Sequence, residues 1–330
     1  MVSAVSRKPR LVPAPFVHSY PFDPAYGYSP AELLLVGWPP CPPGFEMFWR
    51  ERRRATIGFD PRPRLLPSPL THPKWLVNEV EYHSTDGFLI GGWLLVPRGQ
   101  EVVRGLVVGH GYGGSDGPDF DVPVEGAAVL FPCFRGVAKS AHPTISPDPN
   151  WHVLHNIDKR DDYILGGCVE DLWLAVSALL ALHPQIAGHM GYSGISFGGG
   201  IGALAIPWEP RIGRGFLEVP TFGNHPLRVT LPSLGSVAAV QVYRQAHPAI
   251  LDVLAYYDAA VAARFIKVPM MVAAALFDPY VPPPGQFSLY NAIPERKTLF
   301  TLDAGHFDYP SQQQQAAALR ARLAEFFADL

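Results

Sequence analysis

The chain has 330 residues, 48% hydrophobic and 17% charged, with a net charge of −3. A chain of this size buries roughly three quarters of its unfolded surface without help from disulfides or metals, and its near-neutral charge gives no broad attraction for nucleic acid or an anionic membrane. Cys41, Cys133 and Cys168 are odd in number and lack CxxC spacing, so neither a disulfide framework nor a zinc knuckle is expected, and a reducing, cytoplasmic setting is. The first forty residues show no signal-peptide pattern. No apolar run reaches the ~18 residues of a membrane span.

Residues 1–75 are rich in Pro, Arg and aromatics and read as a coil-rich extension packed on the main domain, with one helix over 44–56. Strands over 75–83 and 88–96 are joined by Ser84-Thr85-Asp86-Gly87, whose Asp-Gly pair signals a hairpin. Short apolar runs at 104–110 and 127–131 have the composition of buried parallel strands. A long polar loop over 138–164 follows, of a length more often functional than idle. Helical spacing over 168–182 stops at His183-Pro184.

Strands at 189–192, 215–219, 270–277 and 298–302 then alternate with helices at 197–206 and 312–330. Residues 222–264 interrupt this rhythm with a Pro-, Val- and Gly-containing stretch to 249 and a helical 250–264. The alternation predicts an α/β fold in which a mostly parallel twisted sheet is covered by helices on both faces. The main domain spans 76–330, with insertions near 138–164 and 222–264.

The stretch Gly191-Tyr192-Ser193-Gly194-Ile195-Ser196-Phe197-Gly198-Gly199-Gly200 poses the chemical question, because it holds two serines. Only Ser196 satisfies G-x-S-x-G; Ser193 has Ile195 where the second glycine is required. A nucleophile elbow needs small flanking residues because a strand turns sharply into a helix with the serine in a strained conformation. Asp278 follows one later predicted strand and His306 the next. Ser196, Asp278 and His306 thus stand in the Ser…Asp…His order of α/β-hydrolases, each at the C-terminal edge of its strand.

His110-Gly111-Tyr112-Gly113-Gly114 reads as an oxyanion loop, with His110 orienting the turn and the Tyr112 amide entering the site; the Phe197 amide is the second donor. Each assignment has a plainer alternative. Ser196 could cap a helix, His306 could be a surface loop residue, and Asp278 before Pro279 could open a turn, leaving Asp303 as the carboxylate. His152 and His155 lie near Asp158, Asp161 and Asp162 without a second histidine pair, so no metal is expected, and no cofactor motif is present.

These residues resemble the cephalosporin-C deacetylase and acetyl xylan esterase family of α/β-hydrolases. The resemblance runs from about Pro42 to the C-terminus through Pro43-Gly44-Phe45-Glu46-Met47-Phe48-Trp49, His110-Gly111-Tyr112, Phe134-Arg135-Gly136, the Ser196 elbow, Val219-Pro220, Tyr256-Tyr257-Asp258, Val281-Pro282-Pro283, Tyr290-Asn291 and Gly305-His306. It implies Ser196 as nucleophile, His306 as general base and acid, Asp278 as orienting carboxylate, Tyr112 and Phe197 as oxyanion donors, and Tyr112, Phe197 and Pro220 as substrate contacts.

The implied activity is removal of short acyl groups, chiefly acetyl, from small-molecule or oligosaccharide esters, in an intracellular protein that forms a homo-oligomer, often a hexamer. The family usually has Gln at the positions of Val137 and Phe197 and an acid at Phe307. The alternatives are another α/β-hydrolase activity (peptidase, lactonase or acyltransferase) and a catalytically silent scaffold on the same fold.

Overall fold

The computed structural model describes residues 16–294 and 296–330. Among them nine strands form one sheet: β1 Arg64–Pro67, β2 Trp75–His83, β3 Leu89–Pro97, β4 Arg104–Gly109, β5 Ala127–Pro132, β6 Met190–Ile195, β7 Ile212–Glu218, β8 Met270–Ala275 and β9 Lys297–Leu302. Their order is β1-β2-β3-β5-β4-β6-β7-β8-β9. The first three strands and the β3–β5 pair run antiparallel, and β5 through β9 run parallel. This is the mostly parallel sheet predicted from the alternation of elements.

The β2–β3 hairpin turns through Asp86 and Gly87, both at positive φ (57° and 78°), as an Asp-Gly turn of this hand demands. Within the parallel strands side chains alternate between two cores. Ala128 and Leu130 of β5 enter one, and Ala127, Val129 and Phe131 enter the other. Helices α1 (Phe45–Ile57), α2 (Ile164–Leu182) and α3 (Phe197–Ala205) belong to the first core. The second core is closed by Leu319, Leu323 and Phe327 of the C-terminal helix Gln312–Phe327 and by irregular chain carrying Phe120, Val122 and Val124.

Several elements depart from the sequence expectations. β1 extends the sheet from within the Pro-rich lead-in, pairing with β2 at an edge where proline is tolerated. α2 begins at Ile164, four residues earlier than its spacing suggested, and is by length and composition long and apolar enough to cross a membrane; 83% of it is buried in the protein. The expectation that no apolar run reaches that length is corrected. The Pro-, Val- and Gly-containing stretch at 222–249 contains the helix Gly235–Ala246.

The helical 250–264 breaks at Asp258, whose carboxylate caps Ala259–Ala263 through the Ala260 and Val261 N–H groups. A helix at Pro283–Ala292 was not anticipated. Its two leading prolines read as breakers, yet in a first helical turn their missing N–H groups are not required.

Candidate active site

Ser196 sits where β6 ends and α3 begins, at φ 52° and ψ −107°, a conformation an L-residue adopts only under constraint. The constraint is visible in the backbone. The Ser196 N–H donates to Glu218 O (2.8 Å), and Ser196 O accepts from Gly200 N–H (3.0 Å) and Thr221 N–H (3.1 Å). Glycine at the flanks is a packing necessity: a Cβ on Gly194 would fall 2.6 Å from Gly198 O, and one on Gly198 would fall 2.4 Å from Gly109 O. Val219 (φ 38°), Phe222 (φ 67°) and His306 (φ 48°) are also left-handed, so strained backbone gathers around the same point.

His306 Nε2 lies 3.0 Å from Ser196 Oγ and Nδ1 lies 2.8 Å from Asp278 Oδ2. Asp278 is completely buried. Its Oδ1 accepts from the Tyr280 and Val281 N–H groups (both 2.9 Å), and its Oδ2 accepts from Gln286 Nε2 (3.0 Å) as well as from His306. Gln286 is itself fixed: its Nε2 donates to Val281 O (2.7 Å) and its Oε1 accepts from Ala275 N–H (2.8 Å). The carboxylate that orients the imidazole is therefore held from both sides. Asp303, the alternative carboxylate, is occupied elsewhere, accepting from Ser311 Oγ at 2.5 Å.

Burial by itself would lower the pKa of His306; the charge and hydrogen bond of Asp278, and then the charge of Glu218, outweigh it, and the net shift is upward. Glu218 ends β7 and lines a cavity of about 540 Å³ that has His306, Ile195, Phe307 and Tyr309 in its wall. Its carboxyl is pushed up by burial and held back by His306. Neither Gln286 nor Glu218 was singled out from the sequence. The end of a predicted strand was the signal available for Glu218, and Gln286 lies on the helix hidden behind two prolines.

His110 clamps the neighbouring loop. Its Nε2 accepts from Phe134 N–H (3.0 Å), so the proton sits on Nδ1 and is donated to Gly111 O (2.7 Å). Burial lowers its pKa, consistent with a neutral ring. The His110 carbonyl in turn accepts from Gly198 N–H at 2.9 Å, tying the loop to the first turn of α3. A Cβ on Gly111 would stand 3.8 Å from Ser196 Cβ, so the loop runs beside the serine side chain. The backbone N–H groups of Tyr112 and Phe197 have no acceptor among the described residues.

The expected side-chain contacts to substrate need correcting in part. The Phe197 ring is completely buried, stacked on Tyr112 at 4.1 Å and edge-on to Phe134 at 5.5 Å. Its ring has no surface to offer a substrate. Pro220 is buried as well, packed where a Cβ on Gly199 would meet it at 3.0 Å. Tyr112 is partly buried, with its hydroxyl 3.4 Å from Nδ1 of the buried His152. Val137 fills space beneath the oxyanion loop, since a Cβ on Gly114 would lie 2.8 Å from it. His152 is buried and hydrogen-bonds Arg135 O at 3.0 Å, and burial lowers its pKa to about 4, which marks a packed neutral ring.

A model of the acetyl xylan esterase family matches residues 36–323. The chain belongs to that family. With the family come the carboxylic ester hydrolases of α/β-hydrolase fold. Among solved structures, acetyl xylan esterase 1 from a Thermoanaerobacterium species is 21% identical, with a TM-score of 0.78 over 92% of this chain and 99% of that one. The acetyl xylan esterase from a Paenibacillus species is 20% identical, with a TM-score of 0.77 over 89% and 99%. An acylaminoacyl peptidase from Pyrococcus horikoshii shares the fold more distantly, at 14% identity and a TM-score of 0.61 over 78% of this chain and 42% of that one.

Proposed function

We propose that this acetyl xylan esterase family member is a serine carboxylesterase that removes short acyl groups, acetyl foremost, from carbohydrate esters. The observation that carries the reading is the hydrogen-bonded run Ser196–His306–Asp278, at 3.0 and 2.8 Å, set on three strand ends. Ser196 Oγ attacks the ester carbonyl carbon while His306 Nε2 takes its proton. The oxyanion is received by the Tyr112 and Phe197 N–H groups. His306 then returns the proton to the alcohol oxygen as the C–O bond breaks. Water attacks the acyl-serine by the same route, giving the carboxylic acid and free Ser196.

The deeply held Asp278 keeps the His306 Nδ1–H in place, so Nε2 faces the serine as an acceptor. No cofactor takes part in these steps. A cytoplasmic homo-oligomer accompanies the reading, supported by the habit of the family and testable by light scattering on the purified protein. Ser196→Ala is the direct test of the chemistry: turnover of p-nitrophenyl acetate should fall by up to ~10⁶-fold with the fold intact. Unchanged turnover would sink the proposal.

A further inference from the structure

Ahead of residue 36, where the family match begins, the chain lays a row of aromatic rings against the loops that carry Asp278 and His306. Tyr20 and Phe22 lie 6.1 Å apart at an interplanar angle of 27°, and Phe22 and Tyr26 lie 6.0 Å apart at 29°. At the site end, Tyr20 packs edge-on against Phe307 at 6.2 Å, and Tyr280 stands 5.8 Å from the His306 ring with 42% of its surface exposed. Burial raises the pKa of Tyr20 first, followed by the charges of Tyr280 and Asp278, which places its hydroxyl within electrostatic reach of both.

The row is anchored. The Asp278 N–H donates to Pro24 O (3.1 Å), and Tyr26 Oη–H donates to Pro232 O (2.6 Å). Tyr20, Phe22 and Tyr26 are half-buried, each seated on the protein with part of the ring in solvent. The Tyr20 and Tyr280 hydroxyls make no hydrogen bond among the described residues. A fixed ladder of partly exposed rings, with free phenolic hydroxyls at its inner end, is more than is needed to brace one loop.

We infer that Tyr20, Phe22 and Tyr280 form a subsite that stacks the sugar rings on the alcohol side of the ester. The direction follows from the chemistry proposed above, on which this point rests. His306 Nε2 delivers the proton to the leaving oxygen, so the alcohol lies on the His306 side of Ser196, where these rings are. A pyranose ring presents C–H bonds on its face and hydroxyls at its edge. The face matches the negative face of an aromatic ring, and the hydroxyls match the two free phenols.

The test measures binding apart from turnover. Xylotetraose is titrated calorimetrically into Ser196→Ala protein and into the same protein carrying Tyr20→Ala and Phe22→Ala; the added changes should weaken Kd about tenfold. Tyr20→Phe with Phe22→Tyr, which keeps both ring faces, should restore most of the affinity. Tyr20→Leu keeps apolar packing but removes the ring face, and covers the case in which the double alanine protein does not fold; it should weaken Kd in the same direction.

In the active enzyme, the ratio of kcat/KM for acetylated xylotetraose to that for p-nitrophenyl acetate should drop about tenfold in Tyr20→Leu. Equal Kd values, no xylotetraose binding by Ser196→Ala protein, or a parallel fall on both substrates would each overturn the subsite. Loss of p-nitrophenyl acetate turnover in the wild-type protein would instead count against the esterase reading, and the calorimetric result would stand apart from it.

Discussion

Two buried carboxylates, Asp171 and Asp278, anchor two polar networks of different character. Asp171 accepts from Ser84 Oγ (2.6 Å), from the Arg135 backbone N–H (3.0 Å) and from the Arg135 guanidinium (2.7 Å to NH2). The same guanidinium reaches Thr85 Oγ1 (2.8 Å) and Asp86 (3.2 Å) and lies over the Phe88 ring at 4.6 Å. That network pins the β2–β3 hairpin to α2 and reaches solvent through the carboxylate of Asp86, 71% exposed. The Asp278 network starts equally deep and runs outward through an imidazole 25% exposed, ending on the strained Ser196. The two networks differ in what stands at the open end: an imidazole hydrogen-bonded to a strained serine in one, a surface carboxylate in the other.

The contrast can be broken from either side. Asp278→Asn should lower kcat by about 10⁴, because the amide favours the wrong tautomer of His306, while thermal stability changes little by comparison. Arg135→Ala should do the reverse. It leaves Asp171 buried and unpaired, at a cost of about 3–5 kcal/mol in denaturant unfolding, with kcat of the folded fraction retained. A loss of kcat in Arg135→Ala at full stability would erase the distinction between the two networks.

Smaller effects sharpen it. Gln286→Leu removes one donor from Asp278 and should cost about 1–3 kcal/mol of stability, together with a reduced kcat, which would show the second layer serving both ends. The pH profile adds a direction. His306 must be neutral to act as base, and its pKa is raised above the ordinary 6.5, so the acid limb of kcat/KM should have its midpoint above that value. Because Asp278 contributes most of what raises the His306 pKa, ahead of Glu218, the residual activity of Asp278→Asn should show its acid limb at lower pH. An unmoved limb would mean that the titrating group is not His306.

Much of the site was legible because it is built from strand ends. The glycines around Ser196, the order Ser196, Asp278, His306 and the placing of the His110-Gly111-Tyr112 turn beside the serine all follow from short-range patterns placed after predicted strands. The missed parts depend on contacts that no local pattern encodes. Gln286 reaches Asp278 from a helix that begins with two prolines, and Glu218 matters only because β7 lies beside β6. Phe197 was expected as an amide donor and as a substrate contact, but its ring is buried against Tyr112.

By itself the sequence determined the elbow, the alternation of strand and helix, and hence the family of folds, since these rest on backbone sterics and hydrophobic period within a few residues. Tertiary structure decided between Asp278, the carboxylate the sequence favoured, and Asp303, the alternative it left open. Asp303 is three residues away along the chain and turned to Ser311, whereas Asp278 is 28 residues away and within 2.8 Å. It also brought Tyr20 from the far end of the chain to within 6.2 Å of Phe307, the neighbour of His306. Strand order and the packing of loops set those distances, and neither is a property of any short stretch of sequence.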